Sequence, residues 1–216
     1  MTTRPAILFD LDGTLVDTIA LLLASMRHAF TSCGVACPTD AAWTAGIGTP
    51  LATQFRDFVP DDDATVARLI AAYRAYQHEH HDALTSAYDG IPALVARLEE
   101  RGHPIGIVTS KADYLAERAL TWVGLIGHVD VVIGADSVKR HKPHPEPVLV
   151  ALERLGAPRE TAIFVGDSPH DVASGNAAGV RTIGVAWGAF DRAALAEATY
   201  VVDSVAELEA TLLRIA

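Results

Sequence analysis

Five short apolar runs, each closing on polar or glycine residues, set the rhythm of this chain: Ala6–Phe9, Ile105–Val108, Val129–Ile133, Ala162–Val165 and Thr182–Ala186. Apart from Asp130 and Thr182 they are unbroken runs of apolar residues and glycine, which is the pattern of strands buried on both faces. Between the runs the period lengthens. Ala112, Leu115, Ala116, Ala119, Leu120 and Val123 follow the i, i+3, i+4, i+7 spacing of a helix with one buried stripe. Pro145 to Leu155 opens on proline and stops at Gly156, the usual polarity of helix punctuation. Ser204 followed by Glu207 reads as a capping box ahead of an amphipathic last helix. Strands alternating with helices predict a parallel sheet covered on both sides.

The stretch from Val16 to Ala87 breaks that alternation. It carries helical patterns (Ile19, Leu22, Leu23, Met26, Phe30, then Val66, Leu69, Ile70, Tyr73) and no clear strand. The economical expectation is an α/β core, residues 1–15 and 88–216, with a small helical cap, residues 16–87, inserted after the first strand.

Composition narrows the class. Half of the 216 residues are hydrophobic and mean hydropathy is +0.23, which supplies a dry core and excludes a disordered chain. A formal charge of −10 excludes a nucleic-acid partner that needs a basic face. Cys33 and Cys37 fit neither a CxxC redox pair nor a zinc site and read as reduced thiols. The opening Met1-Thr2-Thr3-Arg4-Pro5 has no signal-peptide core, and the apolar run Ile19–Ala24 is far too short to span a bilayer. These features lead to the expectation of a soluble, cytoplasmic protein with no membrane partner, monomeric or homodimeric.

The candidate chemistry lies where strands end, because ligands of an open parallel sheet bind beyond its carboxyl edge. The first strand runs into Asp10-Leu11-Asp12-Gly13-Thr14, and alternation along an extended chain turns Asp10 and Asp12 to one side. A later strand runs into Gly166-Asp167-Ser168-Pro169-His170-Asp171, adding two carboxylates. Four acids in one crevice cannot all stay ionised without cations. A hard divalent ion answers that need, and Mg²⁺ suits a site shared with phosphate. The only lysines are Lys111, Lys139 and Lys142, and Lys142 is the candidate second positive charge. Thr109-Ser110-Lys111 offers hydroxyls and amides to phosphoryl oxygens.

Taken together, Phe9-Asp10-Leu11-Asp12-Gly13-Thr14-Leu15-Val16-Asp17-Thr18, Thr109, Lys142 and the Asp167/Asp171 pair resemble, in order, the four motifs of the haloacid dehalogenase superfamily. The phosphoglycolate-phosphatase-like and pyrophosphatase-like branches are nearest in character. The resemblance implies a Rossmann-like core under a mobile helical lid and a Mg²⁺-dependent phosphatase acting on a small phosphorylated metabolite, such as phosphoglycolate or a sugar phosphate. Inorganic pyrophosphatase or nucleotide phosphatase activity is the alternative. It implies Asp10 as nucleophile forming an aspartyl-phosphate and Asp12 as general acid and base. Thr109, Ser110 and Lys142 would hold the phosphoryl oxygens. The metal ligands would be Asp10, Asp12 (by its main-chain carbonyl), Asp167 and, through water, Asp171. Asp12 argues against a dehalogenase, which lacks it. The absence of lysine before Lys111 argues against a Schiff-base phosphonatase, and Leu22 in place of a histidine argues against a phosphoglucomutase. The filled motif positions argue against a non-catalytic binding module.

Around the substrate, Gly13, Thr14, Gly48 and Ser110 are expected contacts. Gly46 to Leu51 resembles the family's cap loop, and Arg56 is placed to meet a substrate carboxylate or second phosphate. His78, His80 and His81 read as a solvated helix end, His170 as a loop neighbour of the acids, and Trp43, Trp122 and Trp187 as packing anchors.

Overall fold

The computed structural model describes residues 4–216; residues 1–3, which open the expected core and the segment expected to hold no signal peptide, lie outside those residues. The first strand, β1 (Ile7–Phe9), is followed by β2 (Val16–Asp17) and four helices: α1 (Ile19–Cys33), α2 (Asp40–Thr44), α3 (Leu51–Arg56) and α4 (Asp63–His80). The chain returns through β3 (Ser86–Ala87) to α5 (Ile91–Glu100), β4 (Ile105–Val108), α6 (Asp113–Trp122), β5 (Val131–Ile133) and α7 (Glu146–Leu155). It closes with β6 (Ile163–Gly166), α8 (Pro169–Ala178), β7 (Arg181–Val185), β8 (Tyr200–Val202) and α9 (Val205–Ile215).

Six strands form one parallel sheet in the order β5-β4-β1-β6-β7-β8. β1 is central, with β4 on one side and β6 on the other, so the chain switches direction at its carboxyl end. Side-chain alternation splits the core accordingly. Ile7 and Phe9 face a layer containing Leu94, Leu98, Leu120, Leu208 and Leu212. Leu8 faces the opposite layer with Val148, Leu152 and Ala178. The continuous apolar runs are continuous because both faces are covered.

The inserted helices carry a third core of their own. Phe30, Trp43, Phe55 and Tyr73 pack as an aromatic cluster, Trp43 and Phe55 with ring centroids 4.9 Å apart and Phe30 and Phe55 at 5.6 Å. Such pairs add about 0.5–1.5 kcal/mol each beyond their buried area, so the insertion is held by more than its contacts with the sheet.

Three details depart from the sequence reading. The stretch expected to contain no strand begins with β2 and ends at β3, which pair antiparallel with each other and tie the two crossings of the insertion together. A two-residue ladder leaves no periodicity to detect. β8 is an added edge strand, too short at three residues to stand out beside the polar segment before it. Trp122 is about half exposed, its indole N–H donating to the Thr85 carbonyl, so it is not a buried anchor. No helix among the described residues is long and apolar enough to cross a membrane.

Candidate active site

The residues that follow β1, β4 and β6 directly are Asp10, Thr109 and Asp167. Their placement needs no long-range accident, because three adjacent parallel strands in register deliver their next residues to one edge. Asp10 is 4% exposed and its main-chain N–H donates to the Val165 carbonyl at 2.8 Å, so the sheet hydrogen bonding extends through it. Thr109 is anchored in the same way to Ile133 at 2.9 Å.

Asp171 arrives differently. Ser168 and Asp171 form a buried capping box on α8: the Ser168 hydroxyl accepts from the Asp171 N–H, and Asp171 Oδ2 accepts from the Ser168 N–H at 3.0 Å. That box spends one carboxylate oxygen on the helix and turns Oδ1 toward Lys142 Nζ at 2.5 Å. Lys142 Nζ also lies 3.0 Å from Asp10 Oδ1 and 3.4 Å from the Val108 carbonyl. Burial opposes its charge, yet Asp10 and Asp171 together raise the ammonium above its ordinary range.

Oxygens of Asp10, Asp167 and Asp171 lie within 4.8 Å of one another, all three residues buried. Asp10 Oδ1 has a counter-charge in Lys142 but no donor along a hydrogen-bonding direction. Three buried acids against one ammonium fit a hard divalent cation with oxygen ligands. Asp167 is braced from two sides. The Ala189 N–H donates to its Oδ2 at 2.7 Å, and the Thr14 hydroxyl reaches Oδ1 at 3.4 Å. Gly13 passes beneath with φ +80°, and a Cβ there would stand 2.2 Å from Asp167 Oδ2, so glycine is required for both conformation and space.

Burial first, and then the charge on Asp171, raises the Asp10 carboxyl from an ordinary 3.8 to about 7. Burial, followed by Asp10 and Asp171, raises Asp167 well above its ordinary value. Both acids therefore keep protons in the folded chain where the unfolded chain has released them. Stability contributed by the protonated forms is full below about pH 4 and is lost as pH climbs through about 7. A divalent cation held by the deprotonated acids would reverse the loss. Thermal melts in chelator should fall by several degrees across that window, and millimolar Mg²⁺ should restore them at the upper end. A melting temperature indifferent to both pH and Mg²⁺ would mean the three acids are not a cation site.

The Asp12 carboxylate does not join this cluster. It accepts from Lys111 Nζ at 2.7 and 2.9 Å and from the Thr18 hydroxyl at 2.7 Å. The expected crevice of four acids is thus three acids plus a separate ion pair, because Lys111 offers Asp12 a cation of its own. The pairing of Lys111 and Thr18 with Asp12 is what the sequence reading did not assign. The signal was present, since both lie within or beside quoted motifs.

Asp10, Asp12, Thr109, Ser110, Lys111 and Lys142 line a cavity of about 220 Å³ roofed by the inserted helices. Its upper wall is Leu22, Trp43, Ile47, Leu51, Ile70 and Tyr73, with Gln54, Arg74 and Gln77 as polar members. Burial, then the charge on Asp12, raises the Tyr73 phenol beyond its ordinary range, which keeps it a hydrogen-bond donor. Gly48 enters the cavity at φ +96°, and its carbonyl accepts from the Ser110 hydroxyl at 2.6 Å, stitching the cap loop to the end of β4. A Cβ on Gly48 would stand 3.0 Å from Ser168 Oγ and 3.4 Å from the His170 ring, so His170 flanks this loop.

Other expectations need correction. Arg56 points to solvent and pairs with Asp63 at 2.9 Å, a partner seven residues away that competes successfully for it. Gly13 and Thr14 support Asp167 from below and do not line the cavity. The histidine run is not wholly solvated. His80 packs against Tyr76 with its ring tilted by 44° and the centroids 4.1 Å apart, while His81 is 1% exposed and holds Asp82 at 2.8 Å.

An acidic centre beyond the switch point of a parallel sheet, closed over by inserted helices, defines a capped α/β enzyme. Residues 7–185 match the haloacid dehalogenase-like hydrolase family, and the chain belongs to that family. It is 37% identical over 211 residues to the pyrophosphatase PpaX of Bacillus mycoides (strain KBAB4), covering 97% of both chains. It is 39% identical over 209 residues to the pyrophosphatase PpaX of Anoxybacillus flavithermus (strain DSM 21510 / WK1), covering 97% of this chain and 95% of that one. A predicted phosphatase from Clostridium acetobutylicum of known structure superposes with a TM-score of 0.88 at 28% identity, over 99% of this chain and 100% of that one. A predicted phosphoglycolate phosphatase from Haemophilus somnus 129pt shares the fold with a TM-score of 0.85 at 22% identity, over 98% and 99%.

Proposed function

We propose that this protein is a Mg²⁺-dependent phosphatase whose first substrate is inorganic pyrophosphate, cleaved through an aspartyl-phosphate at Asp10. The observation that carries the chemistry is Asp10 itself: buried, 3.0 Å from the Lys142 ammonium, with a cavity in front of it. The near full-length likeness to proteins called pyrophosphatase PpaX supports the choice of substrate and moves that alternative ahead of the phosphomonoester.

In the first step an Asp10 oxygen forms a bond to phosphorus while the bond from phosphorus to the leaving phosphate breaks. Asp12, having taken up a proton from water as it parts from Lys111, passes that proton to the departing oxygen. In the second step water attacks the aspartyl-phosphate, Asp12 takes the proton, and the bond between phosphorus and Asp10 breaks. Asp10, the Asp12 carbonyl, Asp167 and, through water, Asp171 would hold Mg²⁺, which neutralises phosphoryl charge when bound. Thr109, Ser110 and Lys142 orient the transferring oxygens, the positioning on which phosphoryl transfer depends.

A phosphomonoester of a small organic alcohol or acid is the second reading. It is favoured by the apolar upper wall of Leu22, Trp43, Ile47 and Leu51, which suits a carbon-bearing leaving group.

Phosphate release from pyrophosphate, phosphoglycolate, sugar phosphates and nucleoside monophosphates, each with Mg²⁺ and with chelator, is the test. The expected result is pyrophosphate turnover exceeding the others and vanishing in chelator. A sharp preference for one monoester would replace the substrate, and turnover untouched by chelator would remove the metal.

A further inference from the structure

We propose that Lys111 is a specificity-determining residue that exchanges its ion pair with Asp12 for an anionic group on the leaving side of the substrate. The inference rests on the phosphoryl chemistry above and deepens it by naming what selects the substrate.

Charges at the base of the cavity divide into two sets. Lys142 is fully engaged by Asp10 at 3.0 Å and Asp171 at 2.5 Å, and so serves the transferring phosphoryl group and the acids beneath it. Lys111 stands apart. Its side chain is 5% exposed, it lines the same cavity, and its only ion-pair partner among the described residues is Asp12. A nearly buried ammonium needs an anionic partner at every stage, since losing one leaves an uncompensated charge.

Asp12 is also the group that must reach the leaving oxygen. In the structure all three of its hydrogen bonds come from Lys111 and Thr18. To reach the leaving oxygen, its carboxyl must loosen from Lys111, and the ammonium then needs a replacement. A leaving group that brings its own negative charge provides one; a neutral aryl or alkyl group does not. Substrates such as pyrophosphate thereby lower the cost of freeing Asp12, and monoesters with uncharged leaving groups do not. Thr18 keeps a hold on Asp12 throughout, which limits how far the carboxyl swings.

Lys111→Met removes the ammonium and keeps the length of the side chain; Lys111→Arg keeps the charge. The readout is the ratio of kcat/KM for pyrophosphate to kcat/KM for phenyl phosphate, measured with Mg²⁺ on the full chain. Lys111→Met should lower that ratio roughly 10- to 100-fold, the range of one charge-assisted hydrogen bond, with most of the loss in the KM for pyrophosphate. Lys111→Arg should recover a large part of it. A role confined to packing or to holding Asp12 in place would depress both substrates equally and leave the ratio unchanged, which would overturn the proposal. If the wild-type chain cleaves monoesters but not pyrophosphate, the pyrophosphate reading falls by itself. The Lys111 assignment is then decided by the same ratio taken between phosphoglycolate, which carries a carboxylate, and phenyl phosphate.

Discussion

Asp10→Asn is expected to lower turnover by roughly 10⁴- to 10⁶-fold, the range seen when a nucleophile acting as part of a unit is removed, while the fold stays intact. The two halves of this expectation have separate causes. The carboxamide cannot displace a phosphoryl leaving group, so loss of the anionic oxygen removes the covalent route entirely. The backbone does not depend on that oxygen. Its hydrogen bond to Val165 at 2.8 Å is made by the main chain, and β1 is paired on both sides. Lys142 loses one carboxylate and keeps Asp171 at 2.5 Å. The substitution also removes one of three mutually repelling acids. In chelator at neutral pH the variant should therefore melt no lower than the parent. Steady-state phosphate release and a circular-dichroism melt on the same preparation check both halves. Turnover within tenfold of the parent would transfer the nucleophile to another residue.

The candidate site was legible in the sequence to the extent that its residues are placed by local position. Asp10, Thr109 and Asp167 each occupy the first position after an apolar strand, and a parallel sheet carries such positions to one edge whatever the rest of the chain does. Lys142 was legible through scarcity, since three lysines leave few candidates for a buried counter-charge. Partner choice was not legible. That Asp12 answers to Lys111, 99 residues away, and not to the acid cluster depends on how β1 and β4 meet in space. Arg56 failed as a site residue for the opposite reason, a nearby acid at Asp63. The alternation argument that turned Asp10 and Asp12 to one side was correct for direction, as both line the cavity, and silent about which cation each would find. Fold class was carried by the continuous apolar runs; the weak elements β2, β3 and β8 were not, because two or three residues cannot display a period.

Those partner choices make the active site a balance of charge, and Lys142 is the residue on which the balance turns. Lys142→Met should destabilise the protein in chelator by about 3–5 kcal/mol, the cost of leaving a buried ionic group without its partner. For a chain of this length that is on the order of 10 °C or more in melting temperature. The Lys142 side chain is 1% exposed and its ammonium is the only cation within salt-bridge distance of Asp10 and Asp171 among the described residues. Methionine fills its volume but leaves three acids within 4.8 Å to share a dry pocket. Mg²⁺ should return part of the stability, because it supplies the missing charge, but not turnover, because the one charged donor to the transferring oxygens is gone and only Thr109 and Ser110 remain to orient them. Adding Asp171→Asn should return stability even in chelator. The carboxamide oxygen can still accept from the Ser168 N–H in the capping box, while its neutral charge reduces the repulsion to that between Asp10 and Asp167. The two changes would then be far from additive, as expected for groups in direct contact. Melting temperatures of the parent, both single variants and the double variant, in chelator and in Mg²⁺, complete the cycle. A Lys142→Met protein that melts with the parent in chelator would mean the acids are not held apart by charge at all.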